Sequence, residues 1–239
     1  MSAIGRMRIV AANVLSAAAL FVIMAPASGS PARVDEMVRN ALQLDANAAR
    51  GETIYTKHCA GCHGGSALGN PRELVPSLAG QRQAYLIKQL ADFAELEREG
   101  DQMHAVVSKA ALNEPAVWAD VSFYLSGLQP ARFPETADGG GVELGEAIYQ
   151  EQCAACHEED AAGDADGFVP SLRSQHYSYL VRQMRSLSAS HRLNVDPDLV
   201  RFLDSFETDE ITAVADYLSR LRGPVRDRAR LNDDGTVRN

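Results

Sequence analysis

Apolar residues recur at helical spacing in two stretches of each half of this chain. A repeat of three or four residues places such side chains on one face of a helix. Alternation of apolar and polar residues, the sign of a half-buried strand, is weak throughout, so the pattern predicts an all-α protein. The positions that carry it are Leu86, Leu90 and Phe93 followed by Val117, Val121, Tyr124 and Leu128 in the first half, and Leu180, Met184 and Leu187 followed by Ile211, Val214, Leu218 and Leu221 in the second.

Start signals refine these helices. The helix around Val121 is predicted to open at Asn113, with Pro115 in its first turn, and its counterpart is predicted to open at Thr208. An earlier helix is predicted over roughly 46–58, and its counterpart over roughly 142–152. The sequence thus predicts three main helices in each half.

The chain aligns with itself after a shift of 94 residues. A repeat unit of this length is a duplicated domain, because solenoid repeats are much shorter. The matching pairs are Gly51-Glu52 with Gly145-Glu146, Ile54-Tyr55 with Ile148-Tyr149, Pro76-Ser77-Leu78 with Pro170-Ser171-Leu172, Gln81 with Gln175, Tyr85-Leu86 with Tyr179-Leu180, and Gln89 with Gln183.

The repeat and the composition of the joining segments predict the domain organisation. Pro134 and the run Gly139-Gly140-Gly141 are typical of a linker, and the C-terminal residues mix Arg and Asp with few apolar residues. The predicted units are a signal peptide at 1–27, an extension with an amphipathic helix at 28–44, a first domain at 45–130, a linker at 131–141, a second domain at 142–223 and a polar tail at 224–239.

The N-terminus is typical of a secretory signal. Arg6 and Arg8 precede an apolar run that ends in Ala25-Pro26-Ala27, which predicts cleavage after Ala27 and export to the periplasm. No later segment is apolar and long enough to span a membrane. Without residues 1–27 the chain has 21 Lys+Arg against 32 Asp+Glu, a formal charge of about −11. This charge argues against nucleic-acid binding and favours protein partners with a basic docking face.

All four cysteines lie in two copies of Cys-x-x-Cys-His, at Cys59, Cys62 and His63 and at Cys153, Cys156 and His157. In this pattern two thiols attach a c-type haem and the adjacent histidine binds its iron. The sequence therefore predicts two covalently bound haem c groups and no disulfide. Zinc binding and thioredoxin-like chemistry are disfavoured, because further ligands and a strand–helix context are lacking.

The two motifs, the Pro-Ser-Leu…Gln…Tyr-Leu…Gln blocks and the final helices resemble the dihaem cytochrome c4 family, over nearly all of residues 45–222. The resemblance implies two tandem class I cytochrome c domains, each wrapping one haem. It implies that the carbonyls of Pro76 and Pro170 accept hydrogen bonds from His63 and His157; the alternative is that these prolines only shape a turn.

The resemblance also implies that a methionine from the loop before the last helix is the sixth iron ligand. In the first domain this is Met103, with core packing as the alternative. The second domain departs from the family, because Leu199 or Pro197 stands near that position. Three alternatives remain: His191 as ligand, an open site with Leu199 and Phe202 as an apolar wall, and Met184, whose position favours packing.

His176, early in the second helix of the second domain, is interpreted as a surface residue. The function expected from these observations is a periplasmic carrier of single electrons that is not an enzyme. Electrons are expected to enter at the second haem, which would have the lower potential, and to leave from the first. The alternatives are a sensor of diatomic ligands or a peroxidase-like enzyme with an open second haem, and an electron-accepting subunit of a sulfur-compound dehydrogenase.

Overall fold

The computed structural model describes residues 31–164, 166–189 and 191–225, and these residues form an all-α fold, which confirms the predicted class. Within the described residues the only β-type pairings are isolated bridges, at Asn70–Val75 and Arg98–Arg192. The helices are α1 Pro31–Leu42, α2 Ala48–His58, α3 Ala60–His63, α4 Gln83–Ala94, α5 Asp101–Val107, α6 Pro115–Gly127, α7 Val142–Gln152, α8 Ala154–His157, α9 Tyr177–Ser188, α10 Pro197–Asp204 and α11 Thr208–Arg220, with a short 3₁₀ turn at Pro71–Glu73.

Two helix crossings of the same kind organise the two domains. In the first domain, α2 and α4 both pack on α6. In the second domain, α7 and α9 pack on α11 in the same way. Glycine makes each crossing possible. A Cβ on Gly51 would lie 2.1 Å from the carbonyl oxygen of Asp120, and one on Gly145 would lie 2.0 Å from that of Ala213. The helix backbones are therefore in direct contact.

The predicted helix starts agree closely with the structure. Helices α7 and α11 begin at Val142 and Thr208 as predicted, and α2 and α6 begin within two residues of their predicted starts. The main difference is the segment between the second and third helices of each domain, which was expected to be a loop and contains α5 or α10. A proline at the first turn and the Asp196 cap, which accepts from the Asp198 N–H, stabilise the start of α10.

The amphipathic helix expected before the first domain is α1. It packs on α4 and α6 with Val34, Val38 and Ala41 buried. Among the residues that the structure describes, the second domain has no matching helix, and its surface differs accordingly: the counterparts of buried Ala91 and Ala94 are Arg185 and Ser188. The predicted signal peptide and all but the first two residues of the predicted tail lie outside the described residues. None of the helices that the structure describes is long and apolar enough to cross a membrane.

The domains meet about a pseudo-two-fold axis. Gln175 of the second domain accepts from the Ser77 N–H at 3.0 Å and donates to the Ser77 carbonyl at 2.9 Å. Gln81 of the first domain makes the same pair of bonds with Ser171, at 2.9 and 2.8 Å. Because Gln81 matches Gln175 and Ser77 matches Ser171 in the repeat, the two exchanges are equivalent.

The residues that follow these glutamines extend the symmetry. Arg82 donates to the carbonyls of Ala162 and Gly163 at 2.9 and 2.8 Å, and His176, its repeat counterpart, donates from Nε2 to the carbonyl of Leu68 at 2.8 Å. The interpretation of His176 as a surface residue is therefore wrong. Only 5% of it is exposed, and its Nδ1 accepts from the Glu135 N–H at 3.1 Å.

Near the axis, Arg98 crosses from one domain to the other. It donates to Gln89 of its own domain at 2.5 Å and to Gln183, the repeat counterpart of Gln89, at 2.8 Å. It also donates to the Tyr179 hydroxyl at 3.0 Å. The linker is also bonded to the second domain, since the Glu135 carboxylate accepts from the Ser178 N–H at 2.9 Å. The domains are thus joined by directional hydrogen bonds that are buried or partly buried.

Candidate haem sites

Each Cys-x-x-Cys-His motif lies at the junction of two helices. Cys59 caps the end of α2, and the remaining motif residues form the single turn of α3; Cys153 and α8 repeat the arrangement. All four thiols are free of disulfide bonds. Burial, followed by the neighbouring cysteine of the same motif, raises the pKa of Cys59 and of Cys153 to about 11. Both motifs therefore present thiols that are not consumed by other structural bonds.

The motif histidines are held by the prolines that follow them. His63 Nδ1 donates to the Pro76 carbonyl at 3.2 Å, and His157 Nδ1 donates to the Pro170 carbonyl at 3.3 Å. Burial lowers the pKa of both rings and outweighs the opposing effect of the carbonyl bond. Each ring is therefore neutral at pH 7, carries its proton on Nδ1, and leaves the Nε2 lone pair free for a metal.

A glycine brings each proline carbonyl into place. Gly69 and Gly163 have positive φ, and a Cβ at these positions would lie 2.4 Å from the Val75 carbonyl oxygen and 2.3 Å from the Pro170 carbonyl oxygen, respectively. The chain can pass this close to the proline loop only without a side chain. The sequence pattern predicts no role for these glycines, although their separation of 94 residues marks them as part of the repeat.

Two tyrosines that the sequence analysis did not assign to the sites fix the turn after each motif. The Tyr55 hydroxyl donates to the Gly64 carbonyl, and the Tyr149 hydroxyl donates to the Glu158 carbonyl at 2.6 Å. Both tyrosines are almost completely buried. Their match in the repeat, four residues before the first cysteine of each motif, was the signal that could have identified them.

These residues fit a haem c group. The thiols are available, the histidines offer a lone pair, and apolar side chains surround both motifs. In the first domain the apolar cluster around Tyr55 and Leu86 includes Cys59 and Ala60; in the second the cluster around Tyr149 includes Cys153. A large apolar cofactor with two thiol attachment points and an axial nitrogen ligand matches this donor set.

The side chains predicted as sixth ligands lie in different surroundings. Met103 is on α5, partly buried against the core cluster of Val107 and Trp118. The neighbouring His104 is engaged, because its Nδ1 donates to the Phe93 carbonyl at 2.8 Å. Leu90 of α4 packs against this cluster and also against the cluster that contains Cys59, and so it lies between the haem motif and Met103.

In the second domain the three alternatives lie in different surroundings. His191 lies at the domain interface, where its half-exposed ring is 3.6 Å from a carboxylate oxygen of Glu99. Leu199 on α10 is 37% exposed, and Phe202 stacks edge-on against Phe206. Met184, the repeat counterpart of Leu90, is partly buried in the cluster that contains Cys153 and Ala154 of the haem motif.

Comparisons with known proteins agree with this arrangement. The Cytochrome c family model matches residues 48–128 and again 142–222. The chain is 31% identical to the thiosulfate dehydrogenase electron acceptor of Stutzerimonas stutzeri (strain A1501), covering 75% of this chain and 90% of that protein. It is 30% identical to cytochrome c4 of Thiocapsa roseopersicina, covering 72% of this chain and 91% of that protein.

The fold is also that of a solved structure, reduced recombinant cytochrome c4 from Pseudomonas stutzeri, with a TM-score of 0.66 and 22% identity over 74% of this chain and all of that one. The predictions of tandem cytochrome c domains and of two haem c groups are confirmed by these matches. The chain therefore belongs to the cytochrome c family, within which it is a dihaem protein of the cytochrome c4 type.

Proposed function

We propose that this protein is a periplasmic carrier of single electrons whose two domains each bind one haem c. The observation that carries the proposal is the duplicated site, in which a free thiol pair and a neutral histidine oriented by a proline carbonyl occur twice. Haem c, when bound, supplies an iron that alternates between the ferric and ferrous states. The N-terminal sequence pattern and the periplasmic setting of c-type cytochromes support export.

The protein's own contribution is to hold each axial ligand in one orientation. His63 and His157 are fixed through Nδ1, and each is attached to a motif helix anchored by a buried tyrosine. A ligand that does not move when the iron gains or loses an electron keeps the reorganisation energy of electron transfer small. In the first domain Met103 would complete the ligand set, and a thioether there would raise the reduction potential of a bound haem.

In the second domain Met184 would be the sixth ligand of a bound haem. It is the only methionine of that domain, and the same apolar cluster holds it and the cysteine motif. Two histidines of that domain are held elsewhere: both ring nitrogens of His176 are in hydrogen bonds, and the main chain of His191 is bonded to Glu99 of the first domain. Binding through His191, the ligand predicted from the sequence, requires its loop to leave this interface.

Three measurements on the exported protein test this function. A pyridine haemochrome assay is expected to give two covalent haems per chain, and a potentiometric titration is expected to give two separate midpoints. The second domain lacks the cover of α1, and its α9 has one buried residue where α4 has eight. Greater solvent access stabilises the more highly charged ferric state, so the second midpoint is the lower one. A single haem per chain would refute the dihaem carrier, and two equal midpoints would refute the entry of electrons at the second haem.

Carbon monoxide separates the carrier from the sensor or peroxidase-like alternative. If both irons have a strong sixth ligand, the spectrum of the reduced protein does not change on addition of the gas. A change in half of the haem absorbance would instead identify an open second site and favour ligand sensing or peroxide chemistry.

A second, more specific function is supported by one relative. The matched protein of Stutzerimonas stutzeri is described as a thiosulfate dehydrogenase electron acceptor, and the match covers 90% of it. We assign this chain the same type of partner as a candidate. Mixing the oxidised protein with a thiosulfate dehydrogenase and thiosulfate should reduce both haems, whereas omission of either component should leave them oxidised. Failure of reduction with a competent dehydrogenase would favour a free carrier with another donor.

A further inference from the structure

In each domain one peptide group makes two hydrogen bonds. Its carbonyl oxygen accepts from a histidine of the same domain, and its N–H donates to a glutamine of the other domain. The peptide between Pro76 and Ser77 accepts at its oxygen from His63 Nδ1 of its own domain, at 3.2 Å. Its N–H donates to Gln175 Oε1 of the other domain, at 3.0 Å. The iron-ligating histidine of one domain is thus connected to a side chain of the other through a single peptide group.

The second domain contains the reciprocal connection. The peptide between Pro170 and Ser171 accepts from His157 Nδ1 at 3.3 Å and donates to Gln81 Oε1 of the first domain at 2.9 Å. The four residue positions are those matched by the repeat, so the two connections cross between the domains in opposite directions. The Ser77–Gln175 connection is buried, since 7% of Gln175 and 5% of Ser77 are exposed, and the Ser171–Gln81 connection is partly buried.

Hydrogen bonding at one end of a peptide group changes the other end. An acceptor at the N–H increases the negative charge on the carbonyl oxygen, and successive hydrogen bonds in a low-dielectric interior strengthen one another. A more negative carbonyl is a stronger acceptor for the histidine Nδ1–H. The partner on this second ring nitrogen in turn raises the basicity of the nitrogen that binds the metal.

We infer that Gln175 and Gln81 are positioning residues that act across the interface, each setting the reduction potential of the haem in the opposite domain. This inference rests on the proposed function, because it requires a haem iron on His63 and on His157. Gln175 makes His63 a more basic ligand, which favours ferric iron and lowers the potential of the first haem. Gln81 has the same effect on the second haem through His157.

The decisive experiment compares Gln175→Leu and Gln81→Leu by potentiometric titration of the holoprotein. Each haem's midpoint is assigned by its own paramagnetic NMR signals. Gln175→Leu should raise the midpoint of the first haem and leave the second nearly unchanged, and Gln81→Leu should do the reverse. A purely structural role would shift the haem of the mutated domain, or both haems together, and either result would overturn the inference.

Two further variants distinguish the loss of the hydrogen bond from the loss of side-chain packing. In Gln175→Glu a side-chain oxygen still accepts from the Ser77 N–H, although the bond from Gln175 Nε2 to the Ser77 carbonyl is lost, so the midpoint of the first haem should stay closer to the wild-type value than in Gln175→Leu. Gln83→Leu is the matched control, because Gln83 bonds only to Ala119 of its own domain at 3.4 Å, and it should move neither midpoint. Equal shifts in the leucine and glutamate variants would overturn the inference.

Failure of the inference and failure of the proposed function give different results. Covalent haem content and the far-ultraviolet circular dichroism spectrum are measured for every variant. Wild-type protein without two haems would remove the proposed function itself. Wild-type and variant proteins with two haems each, folded, and with unchanged midpoints would leave the carrier function intact and refute the crossed connection.

Discussion

Replacing Gly145 with alanine tests the argument that direct backbone contact organises each domain. The added Cβ would lie 2.0 Å from the Ala213 carbonyl oxygen and 2.4 Å from its carbonyl carbon. Real Cβ contacts below 3.0 Å are essentially absent, so α7 and α11 must separate by about 1 Å. No change of rotamer relieves the contact, because both partners are main-chain atoms.

The expected loss follows from two opposing terms. Overpacking of a well-packed core costs about 1–3 kcal/mol, and a backbone clash belongs at the upper end. Alanine gains about 1 kcal/mol over glycine within a helix, which offsets part of this cost. We therefore expect Gly145→Ala to lower the free energy of unfolding by about 2 kcal/mol. The cluster around Tyr149 and Val214 would loosen as the helices move apart.

The matched control is Gly127→Ala, at the end of α6. A Cβ at this position meets no atom within 4 Å, so only the helix propensity changes and the variant should be more stable by about 0.5 kcal/mol. Guanidinium unfolding of the two holoproteins, followed by far-ultraviolet circular dichroism, measures both values. If Gly145→Ala were as stable as Gly127→Ala, the helices of the second domain would not be in backbone contact and the reasoning would be wrong.

Three other outcomes are expected. Met184→Leu should make half of the haem absorbance sensitive to carbon monoxide in the reduced protein, with Met37→Leu insensitive as a packing control; an insensitive Met184→Leu would exclude this ligand. Glu158→Gly should raise the unfolding free energy by about 0.5 kcal/mol, because relief of the positive φ of 67° outweighs the entropy gained by the unfolded chain; a lower melting temperature would contradict this. Burial, followed by Asp92, raises the pKa of Glu97 in the folded state, so its contribution to stability is lost as the pH rises through that value. Glu97→Gln should therefore be more stable than wild type at pH 7 and equal to it below about pH 4, measured by denaturant unfolding at each pH.

The repeat made much of this fold and site predictable. Start signals predicted the first residues of α7 and α11, and the Cys-x-x-Cys-His pattern identified both haem motifs, because covalent attachment requires fixed spacing between the cysteines and the histidine. Alignment of the chain with itself predicted the duplication. The same alignment marked Gln81 and Gln175 as equivalent, but sequence similarity does not say what a residue contacts. Their partners are 90 and 98 residues away in the chain, and only the packed domains bring them together.

The predictions that differ from the structure concern residues whose surroundings depend on tertiary contacts. His176 was interpreted as a surface residue because it is a polar residue early in a helix, whereas the first domain covers it and the Leu68 carbonyl accepts from its ring. The segments around Met103 and Leu199 were expected to be loops because the family resemblance implies a ligand loop there. The Asp196 cap and Pro197 in the first turn make α10 helical. The missing loop methionine of the second domain was visible in the sequence, but the surroundings of Met184 and His191 depend on tertiary contacts.

The reciprocal glutamine–serine exchange at the domain interface has the form of an isologous contact, in which one patch meets a copy of itself. A single domain that carried this patch would be able to form a homodimer, in which both subunits must have identical surroundings. Joining the two copies in one chain removes that constraint, because each position is then encoded twice. The pair Arg82 and His176, and the helix α1 present on one domain alone, are differences that a homodimer could not encode. Fusion is therefore what allows two haem sites of common design to acquire different electron affinities.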